Sequence, residues 1–143
     1  MERKEFVKTC GFACLGGLFL SSVLEGCAGS KMIAGTIVNA DLVVPENSFA
    51  EGNSAVKKYI VVQHDSLKYP VCVYRFSATE YTALLMRCTH QGAELQVFGD
   101  RLECPAHGSQ FDNKGQVKNG PADTSLRTFP VIVQNNQIHI SLK

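Results

Sequence analysis

The chain has no cluster of lysines and arginines, no internal repeat and no low-complexity tract, and after residue 35 it shows no long stretch of helical hydrophobic period. Each absence excludes something. Fourteen basic residues against thirteen acidic ones leave a formal charge of +1. That gives no electrostatic case for a nucleic-acid partner, which requires clustered cations to neutralise phosphates. Without a 3.6-residue period the folded part is not a helical bundle. The composition, 45% hydrophobic and 19% charged, is that of a folded domain rather than a disordered one, and 143 residues suit one domain with an appendage. No nucleophile–base pair or substrate-pocket motif is visible, so the chain is not read as an enzyme by itself. The six cysteines are scattered by role and do not form a disulfide framework. Cys72, inside a strand-like run, reads as a small buried hydrophobe.

Residues 1–27 differ from the rest. A charged opening, Glu2-Arg3-Lys4-Glu5 with Lys8, precedes fifteen mostly apolar residues from Cys10 to Leu24. As a helix these would span roughly 22 Å, short of a hydrocarbon core of about 30 Å, which favours a signal-peptide core over a permanent span. Arg3 to Lys8 looks like a twin-arginine export signal with lysine in place of the second arginine. Leu24-Glu25-Gly26-Cys27 resembles a bacterial lipobox in which Cys27 is the lipidation site; Gly26 fits and Glu25 does not. A plain signal peptide or an N-terminal anchor in which Cys27 has no role is the alternative. Either reading gives an exported, membrane-associated protein, periplasmic or on the outer face of the bacterial inner membrane. The expected organisation is signal or anchor over 1–27, linker over 28–35 and folded domain over 36–143.

The domain reads as short strands between turn signals. Thr36 to Val38, Leu42 to Val44, Lys58 to Val62, Pro70 to Phe76, Tyr81 to Met86, Glu94 to Phe98, Arg101 to Glu103, Val131 to Val133 and Gln137 to Ile140 are the expected strands. Gly99-Asp100 and Asn135-Asn136 are expected as tight turns. So many short strands in a chain this size predict an antiparallel sandwich or small barrel.

The chemistry concentrates in two segments, Cys88-Thr89-His90-Gln91-Gly92 and Cys104-Pro105-Ala106-His107-Gly108-Ser109, with thirteen residues between His90 and Cys104. Each supplies one thiolate and one imidazole. Together they make a four-donor metal set of Cys88, His90, Cys104 and His107. Structural zinc uses the same donors, but usually with both cysteines in one short pair and both histidines in another. Here each loop mixes the two types, which suits iron and sulfide. Cys-x-His followed by Cys-x-x-His, with Gly92, Pro105, Gly108, Ser109 and Gly120-Pro121-Ala122 around it, resembles the Rieske [2Fe–2S] signature. His64 and His139 lie outside the motif and read as surface or packing residues.

The resemblance covers roughly residues 36–143 and implies an all-β fold, a Rieske-type antiparallel β-sandwich carrying a small cluster-binding subdomain. It implies that Cys88 and Cys104 hold one iron and His90 and His107 the outer one, with Ser109, Gly108 and Pro121 supporting them. The implied function is one-electron transfer between redox protein partners, with the membrane engaged through the N-terminus. Rival readings are a Rieske subunit of a respiratory cytochrome complex or periplasmic oxidoreductase, a ferredoxin like those of aromatic-ring oxygenases, which lack an export signal, and a structural zinc lipoprotein.

High-potential members of the family carry an extra cysteine in each loop, joined as a disulfide; Ala93 and Ala106 stand at the matching places. They also carry a tyrosine where this chain has Phe111, which cannot donate a hydrogen bond to a ligand sulfur. Fewer such bonds destabilise the reduced, more negative cluster. The potential is therefore expected in the lower part of the Rieske range of about −150 to +300 mV. Redox titration of the purified domain reads it directly, and a midpoint near the top of that range contradicts the expectation.

Overall fold

Alternation of side chains across one central sheet, buried on both faces, organises the protein. A computed structural model of the chain describes residues 32–143, and the structural statements below concern those residues. In chain order the strands are β1 (Met32–Ala34), β2 (Thr36–Val38), β3 (Asp41–Pro45), β4 (Ala50–Glu51), β5 (Ala55–Val56), β6 (Tyr59–Gln63), β7 (Val71–Arg75), β8 (Tyr81–Leu85), β9 (Gln96–Phe98), β10 (Arg101–Glu103), β11 (Gln110–Asp112), β12 (Val117–Asn119), β13 (Thr128–Phe129), β14 (Val131–Gln134) and β15 (Gln137–Ser141). A single 3₁₀ turn, Glu46–Phe49, is the helical element among the described residues. The central sheet runs β1-β6-β7-β8-β13, a base sheet β14-β15-β3-β2, and a smaller sheet β12-β11-β10-β9; β4 and β5 form a separate hairpin.

Successive residues of a strand point to opposite faces. On one face of the central sheet Ile60, Val62, Val71, Val73 and Ala83 pack with Leu42, Val44, Ile138 and Ile140 of the base sheet. On the other face Val61, Cys72, Tyr74, Leu84 and Met86 pack with Leu95, Leu102 and Phe111 of the small sheet, and with Cys88 and Cys104. Burial on both faces explains why β6, β7 and β8 read as continuous apolar runs rather than as apolar–polar alternation. The all-β sandwich with a small subdomain is the observed architecture.

The nine expected strands are present, and so are both expected turns. Asn135 and Asn136 take left-handed φ values of 51° and 59°, the conformation of a primed hairpin turn, and Gly99 sits at 62°. β1, β4, β5, β11, β12 and β13 were not expected. Each has two or three residues, too few to show a period, and each exists because a neighbour offers a pairing edge.

One boundary needs correction. The segment 28–35 was expected as a linker, yet Met32–Ala34 forms β1, parallel to β6 with Met32 opposite Val61 and Ile33 opposite Val62. The folded unit therefore reaches back to Met32, and one central-sheet pairing departs from the expected antiparallel pattern. The chain then passes to the base sheet at Gly35. A Cβ there would stand 2.5 Å from Leu42 Cδ1 and 2.8 Å from Val62 Cγ1, so a larger residue would force these core side chains to shift. The export signal over 1–27, and Cys27 with it, lies outside the described residues. No helix among the described residues is long and apolar enough to cross a membrane.

Cys72 is fully buried, as a small hydrophobe would be. Burial pushes its thiol from an ordinary 9.0 up to about 12, opposed by a weaker lowering from a hydrogen bond with Tyr74. Below 9.0 the thiol is neutral in folded and unfolded chains alike. As pH rises from 9.0 toward about 12 the unfolded chain loses this proton while the folded one keeps it, so stability falls across that window. Denaturant titrations at stepped alkaline pH should show the decline, with Cys72→Ala reducing its slope. A stability that rises over that window contradicts this account of the core.

Candidate metal centre

The two donor loops leave the small sheet at the same end and are closed by the same pair of main-chain bonds. In the first, the Gly92 N–H donates to the Cys88 carbonyl at 2.9 Å, and the Cys88 N–H donates to the Ala93 carbonyl at 2.8 Å. In the second, the Gly108 N–H donates to the Cys104 carbonyl at 3.0 Å, and the Cys104 N–H to the Ser109 carbonyl at 2.8 Å. The shared closure demands a left-handed residue four places after each cysteine, and Gly92 (φ 79°) and Gly108 (φ 80°) supply it without a Cβ penalty. The β9–β10 hairpin joins the loops, with Leu102 opposite Val97, and Arg87 bridges to Glu94 at the base of the first.

This backbone divides the donors by depth. Cys88 is 1% exposed and Cys104 3%, both within the subdomain core, whereas His90 and His107 are exposed. The two imidazoles nevertheless meet: their ring centres lie 5.1 Å apart at an interplanar angle of 87°. One histidine follows its cysteine by two residues and the other by three, so they occupy different corners of otherwise equivalent loops. Among the described residues no three His, Cys, Asp or Glu side chains converge on a single ion. Two buried thiols and two outer imidazoles fit a group with two metal atoms, each taking two protein donors. Cys72, Cys88 and Cys104 are free thiols here.

The supporting residues lie around this pair. Ser109 is fully buried, and its Oγ accepts the Ala122 N–H at 3.0 Å, which leaves the hydroxyl proton available for another acceptor. Ala122 follows the cis Gly120–Pro121 bond in a third loop; Pro121 itself is exposed. Phe111 is fully buried in the core beneath the loops, paired with Leu102. Ala93 is half-buried against that core and Ala106 is exposed. His64 binds Ser66, Nδ1 to Oγ at 2.7 Å, and His139 Nδ1 lies 3.6 Å from Asp41 Oδ2 in the base sheet, so neither joins the centre.

Three contacts at the loops had no signal in the sequence. Thr89 Oγ1 donates to the Thr124 carbonyl at 2.6 Å and ties the first loop to the third. The Asn119 amide reaches the Gly108 carbonyl at 3.4 Å. The Tyr69 hydroxyl donates to the Gly92 carbonyl at 2.7 Å. All three join residues distant in sequence through a backbone carbonyl, which no residue-type pattern records.

Known proteins match this arrangement. The family model described as the Rieske [2Fe–2S] domain matches residues 41–130. The cytochrome b6-f complex iron-sulfur subunit of a Cyanothece strain is 28% identical over 159 residues, covering 96% of this chain and 83% of that protein. A cytochrome b6-f complex iron-sulfur subunit of Synechocystis is 26% identical over 143 residues, covering 93% of this chain and 74% of its own length. Among solved structures, the cyanobacterial plasma membrane Rieske protein PetC3 of Synechocystis aligns with a TM-score of 0.51 at 28% identity, over 59% of this chain and 86% of that one. The complex of reduced oxygenase and oxidised ferredoxin in carbazole 1,9a-dioxygenase gives a chain with a TM-score of 0.51 at 25% identity, over 69% of this chain and 89% of that one.

Ser109→Ala would leave the buried Ala122 N–H without its acceptor, at a cost of about 1–3 kcal/mol. Denaturant titration of the purified protein checks this, and a loss below about 0.5 kcal/mol, the usual range for an unimportant surface change, contradicts it.

Proposed function

This chain belongs to the Rieske [2Fe–2S] domain family, and on that premise we propose that Cys88 and Cys104 hold one iron of the cluster while His90 and His107 hold the other. When bound, the cluster supplies one-electron redox chemistry, and one-electron transfer through it is the function of the protein. The observation that carries the residue assignment is the matched closure of the two loops, which buries both thiols and leaves both imidazoles adjacent at the surface.

The residues divide the work by position. The buried thiols sit in an apolar core that keeps water from the sulfur side. The exposed imidazole edges offer the shortest route for an electron to or from a partner. The free hydroxyl proton of Ser109 is directed by the Ala122 N–H, which occupies an acceptor position on the same oxygen. Phe111 brings no second hydroxyl to this region. The Gly92 and Gly108 turns fix how far each cysteine reaches inward, and their role is geometric.

The protein is read further as an exported, membrane-associated carrier. Support comes from the N-terminal sequence, in which an apolar run ends in the lipobox-like Leu24-Glu25-Gly26-Cys27, with Cys27 as the candidate lipidation site. It also comes from relatives named as subunits of the cytochrome b6-f complex and as a plasma membrane Rieske protein. Its donor and acceptor would be redox proteins met at a membrane surface. A second reading, a ferredoxin serving an oxygenase, has in its favour the absent disulfide pair, marked by Ala93 and Ala106, and the structural likeness to the ferredoxin–oxygenase complex. The N-terminal segment favours the first reading.

Visible absorption and electron paramagnetic resonance of the reduced, purified protein, with metal analysis, test the cluster. A Rieske-type spectrum is expected, and each of Cys88→Ala, His90→Ala, Cys104→Ala and His107→Ala should abolish it. A spectroscopically silent protein carrying one zinc would refute the assignment. Cell fractionation with mass analysis of Cys27 tests the tether, and a soluble cytoplasmic chain with an unmodified N-terminus contradicts it.

A further inference from the structure

The first donor loop carries a shorter contact at its glycine carbonyl than its counterpart, where the Asn119 amide reaches the Gly108 carbonyl at 3.4 Å. Tyr69, half-buried, donates its hydroxyl proton to the Gly92 carbonyl at 2.7 Å. Over the same ring lie two cations, with Arg87 Cζ 6.0 Å and Lys68 Nζ 5.5 Å from its centre. The Arg87 side chain also runs along the Gly92 backbone: a Cβ on Gly92 would stand 3.2 Å from Arg87 Nε, 3.5 Å from Nη2 and 3.7 Å from the Tyr69 hydroxyl. Gly92, Tyr69 and Arg87 thus share one small space directly before Cys88. At Gly108, the equivalent place in the second loop, a Cβ would meet nothing within 4 Å.

Among the described residues no carboxylate oxygen lies within ion-pair distance of either cation, although Glu94 stands opposite Arg87 across an isolated antiparallel bridge. The ion pairs among the described residues are Arg101–Glu103, Lys118–Asp112 and His139–Asp41, and none involves Arg87 or Lys68. Arg87 is held by an aromatic face, an attraction that leaves its full charge in place. An unpaired guanidinium is thereby fixed against the loop that bears one thiolate and one imidazole donor.

We propose that Tyr69 is a positioning residue that pins the first ligand loop and holds Arg87 against it, and that the fixed Arg87 charge raises the midpoint potential of the cluster. This rests on the assignment of Cys88 and His90 as ligands. The sign follows from the electron count. Reduction adds one electron, and so one negative charge, to the cluster, and a nearby cation stabilises the reduced form more than the oxidised one. Arg87 therefore offsets part of what is lost where Phe111 lacks a hydroxyl. Because Arg87 is exposed, its effect is screened by salt.

The test is equilibrium redox titration of the cluster-loaded protein, followed by electron paramagnetic resonance. It compares the wild type with Arg87→Gln, Arg87→Lys and Tyr69→Phe. Arg75→Gln, at the end of β7 away from the loops, serves as the control. Arg87→Gln should lower the equilibrium constant for reduction about threefold to tenfold, roughly 30 to 60 mV for one electron. Arg87→Lys should keep most of the wild-type value, and Arg75→Gln should keep all of it. Tyr69→Phe removes a single oxygen atom; it should shift the potential in the same direction and alter the resonance line shape. The Arg87→Gln shift should shrink as salt rises from about 0.01 to 1 M, over which the screening length falls from about 30 to 3 Å. Variants that lose iron while their loaded fraction keeps the wild-type potential would show a structural role only and overturn the proposal. A wild type without a Rieske spectrum removes the ligand assignment and this inference together, whereas a normal wild type with unshifted variants removes this inference alone.

Discussion

A cysteine carbonyl that accepts a hydrogen bond from a glycine N–H four residues later is the contact on which the centre depends, and the chain makes it twice. The glycine is left-handed in both turns, which folds the chain back so that the cysteine N–H also bonds the carbonyl of the residue after the glycine; the cysteines are buried and the histidines between them exposed. Two such turns side by side produce a donor set layered by depth, thiols below and imidazoles above. Any residue with a Cβ at Gly92 or Gly108 would strain the turn that sets this layering. The difference between Cys-x-His and Cys-x-x-His then matters little to the backbone, because the cysteine-to-glycine span is the same in both loops.

The rest of the fold keeps these turns in register. The β9–β10 hairpin joins them, and β11 carries Phe111 into the core under both cysteines. The central sheet supplies the floor of that core on one face and the wall of the base sandwich on the other. One set of strands therefore stabilises the scaffold and fixes the height of the site. Where other members of the family brace their loops with a disulfide, this chain has Ala93 and Ala106. Its loops are tied instead by side-chain–backbone hydrogen bonds: Thr89 Oγ1 donates to the Thr124 carbonyl, the Ala122 N–H donates to Ser109 Oγ, and the Tyr69 hydroxyl donates to the Gly92 carbonyl. These ties demand no oxidising compartment.

The site was legible in the sequence because its donors are rare residue types at fixed short spacings, flanked by glycines whose backbone duty is visible in their identity. The strands β3, β6, β7, β8 and β15 were legible because they are long enough to show apolar content, and Asn135-Asn136 and Gly99-Asp100 because they carry turn chemistry. β1 was read as linker, since Met32-Ile33-Ala34 has no period of its own and exists by pairing with β6. β11, β12 and β13 were missed for the same reason. The depth ordering of cysteines and histidines was not legible, since spacing along the chain says which residues are close, not which face water. Nor was Tyr69, whose link to Gly92 spans two strands, β7 and β8, and the turn between them.

The proposed division of donors puts two cysteines on one iron and two histidines on the other. Electron–nuclear double resonance of the reduced protein, grown with nitrogen-15 histidine, tests it most directly. Two inequivalent, strongly coupled histidine nitrogens on the reduced iron, belonging to His90 and His107, are expected. A spectrum with one coupled nitrogen, or with none, would contradict it.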